Sequence, residues 1–384
     1  MLLTTLCTND EVYFYKKSIV VSFHANRKVL STSPHNGGYR EDITHAFNHD
    51  CTVGAGIGVT MLAPTYAEHM ALLSEKLGLN PHTTAGISTA AQMENLSIKS
   101  NSYKDITVTA LVTGGVEVNG GRVGDPASWD ELEEKPIEHA SHGTINIILH
   151  LNVDVTPGAL ARILVTCTEA KTAALQELLA PSRYSIGLAT GSGTDGTIIV
   201  ANADSKICLT DAGKHSKLGE LIGKTVKDAV KEALYLQTGL SPTSQHNVLK
   251  RVDRFGITED VLWERYRECA NDGLDRARFS NRLYHLLRQD MLVTYTSLYA
   301  HLIDQLMWEL LSPGDVLHAA GNVLNAMNMP SLQSQTHATD AVACEHAMVD
   351  ALIRGLVTLL STGDCTHDTA EPKMEEVGEP DDSL

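Results

Sequence analysis

The sequence predicts an α+β protein: a sheet-based N-terminal domain with layered helices, followed by an all-α C-terminal helical extension. Three observations carry this. Short β-branched and apolar runs recur up to about residue 257, interleaved with isolated helical segments. Beyond Gly256 the apolar residues fall at three- and four-residue spacing, the period of helices with one buried face. Residues 363–384 hold eight acidic residues against one lysine, with Pro372 and Pro380 among them, the composition of a disordered acidic tail. The expected divisions are therefore 1–257, 258–362 and 363–384.

Taken in order, 18–23 and 28–31 read as short strands around Asn26-Arg27, a hairpin signal. The spacing predicts a helix over 64–77. Alternation of Ile106, Val108, Ala110 and Val112 predicts a strand over 105–113, and a continuous apolar run predicts another over 144–151. Helical composition follows over 158–179, then a strand over 197–202 and a helix over 217–236. Strands mixed with single helices also leave room for parallel pairing through crossover helices. The C-terminal region predicts helices over 258–271, 275–288, 294–311 and 339–360. Between the last two, Ser312-Pro313-Gly314-Asp315 is a helix start, with a hydroxyl cap, proline at the first position and a carboxylate three residues on.

Composition excludes several classes. Aromatic residues make up 5% of the chain and the net charge is −17, so neither stacking platforms nor basic surface for nucleic acid is expected. Seven cysteines stand singly with no C-x-x-C pair, the pattern of reduced thiols in a cytoplasmic protein and not of a disulfide framework or zinc ribbon. The N-terminal stretch has neither the basic flank nor the apolar run of a secretion signal, and no apolar segment approaches the ~18 residues of a membrane span.

Gly191-Ser192-Gly193-Thr194-Asp195-Gly196 spells G-x-G-x-x-G, yet a dinucleotide fingerprint needs a helix after the glycines. Here Thr197-Ile198-Ile199-Val200 follows, which reads as strand. The glycines therefore form a tight turn that brings the Thr194 hydroxyl and the Asp195 carboxylate to a ligand; an ordinary hairpin is the plainer alternative. Other polar, glycine-rich segments sit at strand ends, where a rigid sheet places its working groups. They are Ser33-Pro34-His35-Asn36-Gly37-Gly38, Thr113-Gly114-Gly115 running on through Glu117 to Asp125, and His142-Gly143-Thr144-Ile145-Asn146. Thr168-Glu169-Ala170-Lys171-Thr172 lies in the longest helix, where Glu169 and Lys171, two apart, do not face each other. Asp211-Ala212-Gly213-Lys214-His215 is not a phosphate-binding loop, because Cys208 stands where its first glycine belongs. His142 is open to two readings, a capping group or a base.

In this order the blocks resemble the adenosylcobinamide amidohydrolase family, CbiZ, over roughly 20–255. The resemblance rests on Asn36-Gly37-Gly38, Thr84-Ala85-Gly86, Thr113-Gly114-Gly115 and His142-Gly143-Thr144-Ile145-Asn146. It continues through Thr168-Glu169-Ala170-Lys171-Thr172, Thr190-Gly191-Ser192-Gly193-Thr194-Asp195 and Gly213-Lys214-His215-Ser216-Lys217-Leu218-Gly219-Glu220. It implies hydrolysis of the amide joining aminopropanol to the corrin ring, giving adenosylcobyric acid and 1-aminopropan-2-ol in cobalamin salvage. The partner it implies is a corrinoid, whose cobalt belongs to the substrate. The alternative is a corrinoid carrier or sensor that cleaves nothing.

Amide hydrolysis needs an activated water or nucleophile, stabilisation of the tetrahedral oxyanion, and a proton for the leaving amine. The residues suggest Asp195 or Glu169 as base and His215 as acid. Backbone N–H groups of 191–196, with Lys171 or Asn36, are the oxyanion candidates. Substrate contacts are expected from Asn36, Gly37, Gly38, Thr84, His142, Asn146, Gly191, Gly193, Thr194 and Lys214. Two other routes stay open: a divalent metal held among Asp195, His215, Asp211, Glu117 and Asp125, or attack by a hydroxyl of Thr84, Ser88 or Thr194. The helical extension is expected to serve self-association into a homo-oligomer.

Overall fold

The computed structural model describes residues 1–52, 61–130, 132, 135–136, 143–269, 273–332 and 340–362. It divides into two compact units, Met1–Phe255 and Gly256–Leu384. Among the described residues no helix is long and apolar enough to cross a membrane.

Two sheets make the first unit. One contains β1 (Leu2–Thr5), β2 (Glu11–Tyr15), β3 (Ser18–Ser22), β6 (His45–Asp50) and β7 (Thr84–Thr89), in the order β1-β2-β3-β6-β7. The other contains β4 (Arg27–Ser31), β5 (Gly38–Arg40), β8 (Ser97–Tyr103), β9 (Ile106–Gly114), β13 (Ile145–Leu151) and β16 (Gly196–Asn202), in the order β5-β4-β16-β13-β9-β8. Three two-stranded ribbons complete the strands: β10 (Gly120–Gly121) with β15 (Gly191–Ser192), β11 (Trp129–Asp130) with β12 (Lys135–Pro136), and β14 (Asp154–Val155) with β17 (Cys208–Leu209).

Each main sheet has one parallel pair made through a crossover helix. In the first, α1 (Tyr66–Lys76) links β6 to β7, and in the second, α2 (Pro157–Glu177) links β13 to β16. Helix α1 starts at a capping box between Thr65 and Glu68. Helix α2 starts two residues beyond the β14 ribbon, with Thr156 capping Ala159 and Pro157 in the first turn, where its missing N–H costs nothing. Helix α3 (Lys217–Thr238) is capped by Ser216 and stops at Gly239, which takes a left-handed φ of 73°.

Strand β13 is buried on both faces, so it is apolar without a break except where polar groups are needed. Ile145, Ile147, Leu149 and Leu151 pack with α2 and α3, whereas Ile148 joins Val21, Ala46 and Ile87 of the first sheet. Helix α1 covers the other face of that first sheet, with Met70, Leu73 and Leu77 packed against Val20 and Phe47. The layers run helix, sheet, sheet, helices.

The expected hairpin over 18–31 does not form. Strand β3 pairs with β2 and β6, while β4 pairs with β16 and β5, so the chain changes sheet between them. Arg27 is the physical reason. It is 1% exposed, and its Nε and Nη2 each donate to the buried Asp10 carboxylate at 2.8 Å. Burying a guanidinium requires such a partner, and meeting it turns the backbone from one sheet to the other.

The second unit comprises α5 (Glu259–Cys269), α6 (Arg276–Leu286), α7 (Asp290–Met307), α8 (Pro313–Ala326) and α9 (Ala341–Thr362), after a short α4 (Val248–Val252) that closes the first. Helix α8 begins as its sequence requires, with the Ser312 hydroxyl accepting from Asp315 N–H. Helix α7 begins at Asp290 and ends at Met307, earlier at both ends than the apolar spacing suggested; Glu309, at a φ of 58°, turns the chain out of the helix. The acidic stretch 363–384 lies outside the described residues.

Candidate functional site

The turn 191–196 sits between β15 and β16, directly beside α2. Its centre is Asp195, whose carboxylate accepts four hydrogen bonds. Ile145 N–H (2.8 Å) and Ser192 Oγ (2.6 Å) donate to Oδ1, while Ser192 N–H (3.0 Å) and Lys171 Nζ donate to Oδ2. Lys171 comes from α2 and is 9% exposed. A carboxylate offers about four acceptor positions, so every one is taken. Glycine at 191 leaves room for this pair: a Cβ at that position would lie against Asp195 Oδ2 and 2.9 Å from Lys171 Nζ, and the two side chains would have to shift.

Asn146 ties the turn to both sheets. Its Oδ1 accepts from Gly196 N–H at 3.0 Å, and its Nδ2 donates to Asn48 Oδ1 (2.7 Å) and to the Ser88 carbonyl (2.9 Å). Asn48 in turn donates to Thr113 Oγ1 at 2.8 Å. Buried amides are stable only when satisfied in this way. The Thr194 and Thr144 hydroxyls lie 2.6 Å apart, and Thr194 donates to the Gly143 carbonyl at 2.9 Å.

Two clefts open on this centre, and both are lined by Asp195. The first, about 430 Å³, has walls from Pro34, Met61, Ile87 and Ala90, with Tyr66, Ser88, Asn146 and Thr194 as polar lining. The second, about 730 Å³, is lined by Lys171, Gly191, Ser192 and Gly193, with Arg122, Trp129 and Tyr184 on other walls. Cys51 also faces the first cleft, its sulfur 3.3 Å from His69 Nε2; burial pushes its thiol above the ordinary value. Because His69 Nδ1 accepts from Leu62 N–H, the neutral ring carries its proton on Nε2 and donates to the sulfur, so it is no base for that thiol.

The sequence candidates divide accordingly. Asp195, Lys171, Asn146, Thr194, Gly191 and Gly193 come together at the two clefts, as does Ser88. Glu169 does not: it points away from Lys171 and pairs with Lys214 at 3.1 Å on the exposed side of α2, so both leave the site. His215 is exposed and lines neither cleft, which removes the proposed acid. Asn36 also falls outside, its amide spent on the Pro81 and Thr84 carbonyls at 2.6 and 2.8 Å. With it, Gly37 and Gly38 shape the loop and line neither cleft; a Cβ on Gly37 would strike the Ser33 carbonyl. Thr84 is wholly buried and donates to the Asn80 carbonyl at 2.8 Å, so it is not a nucleophile. His142 lies outside the described residues.

Among the metal candidates, Asp211 is exposed and accepts from Gly213 N–H, and Glu117 is exposed. Asp125 lines the second cleft; burial raises its carboxyl, but hydrogen bonds led by that from Ser182 outweigh this and hold it below the ordinary value. Among the described residues no three His, Cys, Asp or Glu side chains converge as metal ligands. Tyr66, Trp129 and Arg122 went unnoticed in the sequence. Each stands alone in its segment, and only the tertiary fold turns it towards a cleft.

Comparison with known proteins places the chain in a family. The adenosylcobinamide amidohydrolase family model (CbiZ) matches residues 3–242. An uncharacterized protein of Methanocaldococcus jannaschii, MJ1613, is 34% identical over 231 residues, covering 58% of this chain and 87% of that protein. The crystal structure of the PH0078 protein from Pyrococcus horikoshii OT3 aligns with 63% of this chain and 86% of its own at 11% identity, with a TM-score of 0.30, too low to bear on fold or function. The match of the family model across the whole two-sheet unit decides the matter: the chain belongs to the adenosylcobinamide amidohydrolase family.

Proposed function

We propose that the protein hydrolyses the aminopropanol amide of adenosylcobinamide to adenosylcobyric acid and 1-aminopropan-2-ol. The observation that supports this reading is the pair of clefts meeting at Asp195, in a domain that belongs to this family. A scissile amide lying across that carboxylate has a large and a small room on its two sides. Water adds to the carbonyl carbon, its proton passing to Asp195 Oδ1, and the carbonyl electron pair moves onto oxygen. Of the two donors on Oδ1, the Ser192 hydroxyl is the one that bond rotation alone removes, which frees Oδ1 to act as base. Lys171 has N–H groups beyond the one spent on Asp195 and stabilises the oxyanion. On collapse the C–N bond breaks, and Asp195 returns its proton to the departing nitrogen.

The second cleft suits the macrocycle. Trp129 and Val123 on its walls are 52% and 84% exposed, an apolar platform in open solvent. Covering the indole is worth about 1–2 kcal/mol, so Trp129→Ala is expected to raise KM for adenosylcobinamide about 5- to 30-fold while kcat stays within about threefold; steady-state kinetics check it.

Incubation of the full chain with adenosylcobinamide in dim light, with and without a chelator, tests the reaction by mass spectrometry. Both products are expected, at equal rates in the two arms. Tight binding without product would make the protein a corrinoid carrier, and loss of turnover on chelation, restored by added metal, would replace Asp195 as the means of activating water.

A further inference from the structure

We infer that the first cleft receives the amino-alcohol leaving group and that Tyr66 selects it by donating a hydrogen bond to its hydroxyl oxygen. This rests on the proposed reaction. The corrin ring needs the larger opening, so the small end of the substrate falls to the 430 Å³ cleft. There Pro34, Met61, Ile87 and Ala90 offer only apolar contact to a three-carbon chain.

Tyr66 is set up to donate and to do nothing else. Its phenolic oxygen accepts from Ser88 N–H at 3.0 Å and from Ser88 Oγ at 3.1 Å. Those two bonds fill its acceptor capacity. The remaining proton has no acceptor among the described residues, and Tyr66 lines the cleft. Ser88 cannot drift, because its carbonyl is held by Asn146 Nδ2 at 2.9 Å, and the ring is anchored in the first turn of α1. Burial pushes the phenol above its ordinary value, so it keeps its proton at neutral pH. A fixed donor accepts an alcohol oxygen and offers nothing to an N–H or a methyl group. A substrate lacking the hydroxyl would leave this donor buried and unpaired, the arrangement that gives strong discrimination.

The test compares adenosylcobinamide with the n-propylamide of adenosylcobyric acid, which differs by that one hydroxyl, on the wild-type chain and on Tyr66→Phe. The wild type is expected to favour adenosylcobinamide by about tenfold or more in kcat/KM. In Tyr66→Phe the ratio is expected to fall to near one, chiefly through loss of activity on adenosylcobinamide. Structural damage would lower both substrates and keep the ratio, which would overturn the assignment. So would a wild type that treats the two amides alike. Should the wild type cleave neither, the proposed reaction falls and takes this with it; cleavage without discrimination sinks Tyr66 alone.

Discussion

Under the proposed reaction, Asp195→Asn is expected to lower kcat for adenosylcobinamide by about 10²–10⁴-fold, the ordinary worth of a positioned base, with KM changed little. The amide keeps the size of the carboxylate and one of its oxygens, but it can neither take a proton from water nor neutralise Lys171. Ser192→Ala is the companion variant. It removes one of the two donors on Oδ1 and leaves Lys171, Ile145 and the backbone N–H of residue 192 in place. Turnover within about tenfold of wild type is therefore expected from it. Single-turnover product formation on the two variants checks both, and an Asp195→Asn rate within a few-fold of wild type would remove Asp195 from the mechanism.

The second large effect concerns stability. Asp10 is fully buried, with Arg27 donating twice to it, His150 Nε2 at 2.8 Å and His24 N–H at 2.9 Å. Removing one partner of such a pair leaves an uncompensated charge in the interior, at about 3–5 kcal/mol. Arg27→Met should accordingly lower the urea midpoint of the full chain sharply. The double variant Asp10→Leu/Arg27→Met should recover much of the loss. A cost under about 1 kcal/mol for the single variant would contradict this.

The same cluster sets an acid limit. Burial alone would raise the Asp10 carboxyl, but the bonds from His150, Arg27 and His24 outweigh it and hold it well below the usual carboxylate range. The unfolded chain then takes up the proton first, so this stabilisation is complete above about pH 4 and is lost as pH falls further. Burial also lowers His150 from its ordinary value, so its contribution is present above about pH 6.5 and wanes on acidification. Both act in one direction, and urea midpoints measured from pH 7 to pH 3 are expected to fall throughout.

Local chemistry made much of the fold readable. Thr156-Pro157, Ser216 and Ser312-Pro313 each begin a helix where a cap and a first-turn preference coincide. The apolar run of β13, broken only by Asn146 and His150, announces a strand covered on both faces. What a strand joins is another matter. Strands β3 and β4 are close in sequence and equally β-prone, yet the Arg27–Asp10 pair sends them to different sheets, and nothing local records a partner 17 residues away. The same limit applies to the site. Glu169 and Lys171 are near neighbours in the chain, and the two-residue offset on a helix turns one to solvent and the other to Asp195. A motif shows which residues travel together; it does not show which face they present.

Asn146 carries one more consequence, for the order in which the molecule comes into being. Its bond to Asn48 spans 98 residues and its bond to Gly196 spans 50. Contacts of such separation form late, because long loops must close before they can reward the chain. The first cleft is built from those contacts, so it does not exist in any half-folded form of the domain. A ligand of that cleft finds no place on the emerging chain until both sheets have docked, so its binding there stabilises the finished molecule and none of its precursors.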